Sequence, residues 1–163
     1  MNNTRILDPI EPDAFEDFYV ARWPHIYRTL AVVLRNPDLA SEATDEAMVR
    51  AFQRWSTVRR YKNPSGWVYR VGLNWARSRV RKVGREQHGV PEQHQRPSEP
   101  PDPAVERALA DLPLSQREVV VLHYLLDLSV PQISEMIDTP EGTIKSRLHR
   151  ALERLRKELS DES

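Results

Sequence analysis

SVPQISEMIDTPEGTIKSRLHRALERL, residues 129–155, is the stretch whose reading decides the fold of this 163-residue chain. Ser129 and Gln132 have the spacing of an S-x-x-Q capping box at the head of a short helix carrying Ile133, Met136 and Ile137. Asp138 ends that helix, and Thr139-Pro140 offers an N-cap and a first-turn proline to the next. The second helix places Ile144, Leu148, Ala151 and Leu155 at steps of four, three and four, the period of one buried face. Thr143, Lys145, Ser146, Arg147, His149, Arg150 and Arg154 are left for its other faces. A solvated charged helix on an ordinary bundle carries such a face too, but the paired caps at this spacing favour a helix-turn-helix. In that motif the second helix enters the major groove, where residues near its N-terminus reach base edges and flanking bases hold phosphates. Lys145, Ser146, Arg147 and Arg150 are the leading contact candidates.

Working outward, residues 104–128 add two more helices. The run Val119-Val120-Val121-Leu122 suits a strand by β-propensity, yet Ser115 and Glu118 have capping-box spacing and argue for a helix. Residues 86–103, EQHGVPEQHQRPSEPPDP, contain five prolines and no helical period, the composition of an extended linker. At ~3.1 Å per residue its 18 residues reach roughly 55 Å, so two small domains tethered by it can cover about two dozen base pairs at ~3.4 Å each.

Before the linker, Phe15, Phe18, Tyr19, Ile26, Leu30, Val33 and Leu34 recur at helical steps, with Pro24 placed to kink or interrupt the helix. A second helix fits Ser41–Trp55, with Ser41 as N-cap and Met48, Phe52 and Trp55 on one stripe. Asn63-Pro64-Ser65-Gly66 is turn chemistry, and a third helix from Trp67 to Val83 sets Val68, Val71 and Trp75 inward. The expected fold is all-α, with two small helical domains: residues 13–85 form a three- to four-helix bundle and residues 104–159 a four-helix helix-turn-helix domain. Residues 1–12 and 160–163 are read as tails.

Charge balances overall, with 24 Lys plus Arg against 24 Asp plus Glu, so no net field draws the chain to DNA or to anionic lipid. Its distribution is uneven. Residues 5–48 carry nine acids against four arginines, whereas residues 50–85 carry eleven bases and no acid. In that basic segment Tyr61, Trp67, Tyr69 and Trp75 interleave with the cations, a composition that suits unpaired bases stacked on rings while guanidinium groups track phosphates. Core packing is the competing account of Trp67 and Trp75. Asn63 and Asn74 fit equally a splayed base or a capping role.

Without cysteine the chain forms no disulfide and no thiolate metal site, and no apolar run approaches the ~20 residues that span a bilayer. The first twelve residues lack the apolar stretch of a signal peptide, which points to a cytoplasmic protein. Of the histidines, His88 and His94 fall in the linker, and His123 and His149 show no ligand spacing. No phosphate-binding glycine loop and no nucleophile elbow is present, so neither enzymatic activity nor a cofactor nor a small-molecule substrate is expected.

The stretch LPLSQREVVVLHYLLDLSVPQISEMIDTPEGTIKSRLHRALERLRK resembles the C-terminal domain of extracytoplasmic-function (ECF) sigma factors, with pattern L-P-x-x-x-R-x-V-x-x-L-x-Y, E-I-A-x-x-L-G and P-x-G-T-V-x-S-R-x-x-R-A-x-x-x-L. FEDFYVARWPHIYRTLAVVLRNPDLASEATDEAMVRAFQRW is similar to the family's N-terminal domain, and GWVYRVGLNWARSRVRK to its W-L-x-x-I-A-x-N-x-x-x-D-x-x-R segment. The resemblance implies a non-catalytic transcription initiation factor that binds core RNA polymerase, directs it to promoter DNA and helps melt it. The helix-turn-helix would read the minus-35 element as duplex. Arg60, Tyr61, Lys62, Asn63, Trp67, Arg70, Asn74, Arg77, Arg81 and Lys82 would hold the melted minus-10 element. Asp45, Glu46, Arg50, Gln53 and Arg54 would meet the polymerase, the linker would thread toward its cleft, and an anti-sigma factor would mask both domains. With only four residues after Leu159, control is expected to come from outside the chain or from its expression.

Four departures mark this chain: Ser41-Glu42-Ala43-Thr44-Asp45-Glu46 where the family shows E-D-L-x-Q-E, Asp138 at the turn glycine, Ser134 for the usual Ala, and Ser78 or Arg79 near the usual Asp. Asp tolerates the left-handed backbone that the turn requires. A two-domain regulator that never docks on polymerase is the alternative reading, and only the first domain's resemblance separates the two.

Overall fold

The computed structural model describes residues 14–86 and 102–161, which form eight helices and no strand. These are α1 (Phe15–Leu34), α2 (Pro37–Gln53), α3 (Trp55–Val58), α4 (Pro64–Glu86), α5 (Pro103–Ala110), α6 (Leu114–Tyr124), α7 (Val130–Ile137) and α8 (Glu141–Asp161). The N-terminal tail and residues 87–101 of the expected linker lie outside the described residues.

The first four helices form one bundle. α1 runs unbroken through Pro24 and stops where Arg35 turns left-handed at φ 51°. Asn36, not Ser41, caps α2: its side chain accepts from the Leu39 amide at 3.0 Å, with Pro37 in the first turn. The cap therefore sits five residues earlier than Ser41, which lies inside the helix. At its far end α2 stops at Gln53, so Trp55 belongs to the four-residue α3. Phe52 is 64% exposed and leaves the inward stripe on which the sequence placed it.

Small residues set the packing. Ala40, Ala43, Ala47 and Ala51 are wholly buried along α2, and Gly72 of α4 comes so close that a Cβ there would lie 3.2 Å from the Ala43 carbonyl oxygen and 3.0 Å from Leu30 Cδ1. Two buried hydroxyls stay satisfied by bonding back along their own helices, Thr29 to the His25 carbonyl at 2.8 Å and Thr44 to the Ala40 carbonyl at 2.7 Å.

The remaining helices form the second bundle. Asp102 caps α5 at the Ala104 amide (2.9 Å), with Pro103 in the first turn. Val119–Leu122 are buried within α6, so the β-prone run is helical. The Ser115–Glu118 capping box does not form: α6 begins at Leu114, and the Glu118 carboxylate instead accepts a hydrogen bond from Tyr69 of α4. That bond joins the two halves, which pack directly through α1 and α4 against α5, α6 and α7 with buried apolar residues continuous across them. The tether reading of the sequence contains no such contact.

Candidate nucleic-acid interface

The helix-turn-helix forms as its caps dictate. Ser129 Oγ accepts from the Gln132 amide at 3.3 Å, and Gln132 Oε1 accepts from the Ser129 amide at 2.9 Å. Asp138 takes the left-handed conformation at φ 49°, ψ 53° that a glycine usually supplies. Ser134, in place of alanine, fastens the same turn by donating to the Thr139 carbonyl at 2.6 Å. Thr139 does not cap α8: its hydroxyl turns back to the Ile137 carbonyl at 3.2 Å, and the backbone ladder starts from the Pro140 carbonyl.

On α8, Ile144, Leu148 and Ala151 are buried and Leu155 is half-buried, which turns the opposite faces outward. Thr143, Lys145, Ser146, His149, Arg150 and Arg154 are exposed, and Arg147 is half-buried. Two of these have local partners: Ser146 Oγ donates to the Gly142 carbonyl at 3.0 Å, and His149 Nε2 lies 3.2 Å from Glu153. Lys145 in the second turn of α8 and Arg150 near its middle are exposed, and a major groove is wide enough to admit such a helix.

A second basic surface lies on α4 and the turn before it. Asn63 is the cap of α4, its Oδ1 accepting from the Gly66 amide at 2.9 Å, so the turn chemistry of residues 63–66 is the start of a helix. Arg60, Tyr61 and Lys62 are exposed just before it, and Arg70, Asn74, Arg77, Arg81 and Lys82 are exposed along it. The four aromatic rings divide by environment. Tyr61 is 43% exposed and tilts against half-buried Trp67 at 6.3 Å between centroids. Trp75 is half-buried under the Arg79 guanidinium, 5.3 Å from its ring, and Arg79 Nε also lies 3.5 Å from Glu42. Tyr69 is 1% exposed, so its ring offers no platform to a base in this conformation. The sequence made Tyr69 a platform because helical period alone cannot show that a second domain covers that face.

The polymerase-facing candidates sit on α2 and at its C-cap, Arg54. Asp45 and Glu46 are half-buried, and Arg50, Gln53 and Arg54 are exposed. Trp23 Nε1 donates to Asp45 Oδ1 at 2.9 Å, and Arg50 Nε bonds Glu46 Oε1 at 3.1 Å one turn away. Beside them Val49 (51% exposed) and Phe52 (64%) show apolar side chains to solvent, with the Phe52 ring edge-on to Phe15 at 5.2 Å. Sequence reasoning missed both as surface residues. The signal was available in their position beside exposed Arg50 and Gln53 on a helix whose buried face is largely alanine.

His88 and His94 lie outside the described residues, while His123 Nδ1 donates to the Leu128 carbonyl at 2.7 Å. Among the described residues no helix is long and apolar enough to cross a membrane.

Fold and surface together define a two-domain helix-turn-helix protein with a second basic, aromatic-bearing face. Residues 18–86 match Sigma-70 region 2, and residues 103–155 match Sigma-70, region 4. The ECF RNA polymerase sigma factor SigW of Bacillus subtilis (strain 168) is 30% identical over 171 residues, covering 93% of this chain and 91% of its own. The RNA polymerase sigma-E factor of Streptomyces coelicolor is 30% identical over 159 residues, covering 89% and 85%. The fold is shared with the sigma factor RpoE in complex with the anti-sigma factor NepR from Bartonella quintana, with a TM-score of 0.68, 22% identity and 90% and 96% of the two chains covered. It is also shared with CnrH in complex with the cytosolic domain of CnrY, with a TM-score of 0.54, 18% identity and 94% and 92% covered. This chain belongs to the ECF sigma factors of the sigma-70 family.

Proposed function

We propose that this protein joins core RNA polymerase in the cytoplasm, brings it to a set of promoters and assists their melting, with the chemistry left to the polymerase. The observation that carries this reading is the presence, in one chain of the sigma-70 family, of an exposed basic helix-turn-helix on α8 and a separate exposed basic face on α4. In this assignment Thr143, Lys145, Ser146, Arg147, His149, Arg150 and Arg154 meet the minus-35 duplex. Arg60, Tyr61, Lys62, Asn63, Trp67, Arg70, Asn74, Arg77, Arg81 and Lys82 hold the melted minus-10 strand, with Tyr61 the most exposed stacking ring among them. Asp45, Glu46, Arg50, Gln53 and Arg54 meet the polymerase, and exposed Val49 and Phe52 supply the apolar centre that a stable protein interface needs. Residues 87–101 serve as the linker between the domains, shorter than the 86–103 expected because Glu86 ends α4 and Asp102 and Pro103 begin α5. The solved relatives RpoE and CnrH are held by NepR and CnrY, and an inhibitory protein partner of the same kind is assigned to this chain.

Run-off transcription with bacterial core polymerase on pooled genomic fragments of the host tests the reading. Transcripts starting at discrete sites only when this protein is added are expected. No transcripts together with no co-migration of protein and core on a sizing column would overturn it in favour of a regulator that works without polymerase.

A further inference from the structure

α1 carries two apolar stripes. Trp23, Ile26, Leu30 and Val33 form the buried one, and on another side Val20, Pro24, Tyr27 and Ala31 follow at steps of four, three and four, the period of a second stripe. Val20 stands 74% exposed at the start of that stripe. Farther along, Tyr27 and Ala31 line a groove of about 400 Å³ that Val105 and Leu109 of α5 line as well. An apolar track therefore runs along the outside of α1, from near its N-terminus into an open groove.

The charged groups of the groove are unbalanced. Arg28 and Arg35 line it against one acid, Glu106. Among the described residues neither arginine forms an ion pair, and Arg28 Nε is buried without a hydrogen-bond partner, a donor whose burial an acceptor would offset. Just behind the groove Arg117 is buried, its Nη1 donating to the carbonyl of Ala110, itself a lining residue, at 3.2 Å. Burial, and then the charge of Arg35, hold the Arg117 guanidinium below its ordinary pKa, so the positive charge at this site is felt by its neighbours. The groove fits an extended segment with apolar side chains and a carboxylate.

Residues 1–13 have that composition. Ile6, Leu7 and Ile10 supply the apolar side chains, Asp8, Glu11 and Asp13 set three acids against one base, Arg5, and Pro9 and Pro12 favour an extended course over a helix. Residues 87–101, by contrast, contain a single aliphatic side chain larger than alanine, Val90. Length fits too. At ~3.1 Å per extended residue, Asp8 reaches about 19 Å from Ala14, and Arg28 stands about 21 Å along α1 from the same point at ~1.5 Å per residue. We propose that residues 6–11 double back along the outside of α1, with Ile10 against Val20, Leu7 in the groove and Asp8 on Arg28, so that the chain itself fills a groove otherwise open to a partner. The proposal does not depend on which DNA element each helix reads.

The absence of cysteine allows a clean test, because Asn3→Cys then takes a single nitroxide label. In the full, isotope-labelled chain the nitroxide should broaden the amide resonances of Ala31, Arg35, Val105 and Leu109 and leave those of Arg50 and Lys145 sharp. Asp8→Arg should lower the docked population about two- to fivefold, the effect of a partly exposed ion pair, and the broadening should fall in step. Arg28→Asp should do the same, and the two changes together should restore it. Leu7→Ser should lower it about tenfold through lost apolar burial. Asp8→Arg and Leu7→Ser lie outside the helices and decide the matter if Arg28→Asp folds poorly. Broadening spread evenly over the surface, confined to another face, or unaltered by these two changes overturns the proposal. Broadening of an unlabelled-cysteine-free chain by a nitroxide-bearing second chain mixed with it would give the groove to another copy's segment and overturn docking within one chain.

Discussion

The indole N–H of Trp23, in the middle of α1, donates to Asp45 Oδ1 on α2 at 2.9 Å. Trp23 is buried, so this bond ties a core side chain to a carboxylate that is also a candidate for polymerase contact. Asp45→Ala should cost about 1–3 kcal/mol of stability by stranding a buried donor, whereas Asp45→Asn keeps an acceptor and should cost much less. Urea unfolding of the two variants checks this. An Asp45→Asn protein that is stable yet weak for polymerase assigns the carboxylate a second role.

Gly72 brings α4 close against α2 and α1. Gly72→Ala should destabilise by about 1–3 kcal/mol despite alanine's better helix propensity, because the Ala43 carbonyl at 3.2 Å from the new Cβ belongs to a backbone that cannot rotate away. Thermal melting followed by circular dichroism reads the sign directly. An unchanged melting temperature shows that α2 and α4 part at little cost.

Asn63 separates a structural role from a binding one. Asn63→Asp retains a good cap and should leave stability within a few tenths of a kcal/mol, while Asn63→Ala should lose about 1 kcal/mol. The added charge of the Asp variant should weaken single-stranded minus-10 DNA binding, measured by fluorescence anisotropy within the polymerase complex. Equal affinity of the Asp variant leaves Asn63 as a cap alone.

Replacing Arg147 and Arg150 with Ala should weaken binding to a minus-35 duplex by about 1–3 kcal/mol for each base or phosphate contact removed, and flatten its salt dependence. Arg150 is exposed and Arg147 half-buried, so the single Arg147 variant should also show a small loss of stability and the Arg150 variant none. Duplex affinity measured over a range of salt checks both statements. Full affinity in the double variant removes α8 from the groove.

The triple change Arg77→Ala, Arg81→Ala and Lys82→Ala should leave folding and duplex recognition intact and impair promoter opening. All three side chains are exposed, and Arg79, whose guanidinium covers Trp75 and approaches Glu42, is left in place. Permanganate reactivity of unpaired thymines in the minus-10 region reads opening. Normal opening by the triple variant sinks the assignment of α4 to the melted strand.

The sequence by itself determined the helices, the helix-turn-helix and the placement of its basic residues. Caps, turns and stripes are local: Ser129 and Gln132 bond within one turn, Asp138 satisfies a single backbone conformation, and Ile144, Leu148 and Ala151 share a face by period alone. Short-range signals also misled where two candidates competed. Asn36 with Pro37 won the start of α2 over Ser41, and Pro113 with Leu114 the start of α6 over Ser115, because a cap belongs wherever packing lets the helix begin. Only the tertiary structure decided which side of each helix faces solvent once a second body packs on it. Tyr69 left its expected environment for that reason: the helix period gives relative orientation, but the identity of the neighbour across the face depends on residues as distant in sequence as Glu118 is from Tyr69.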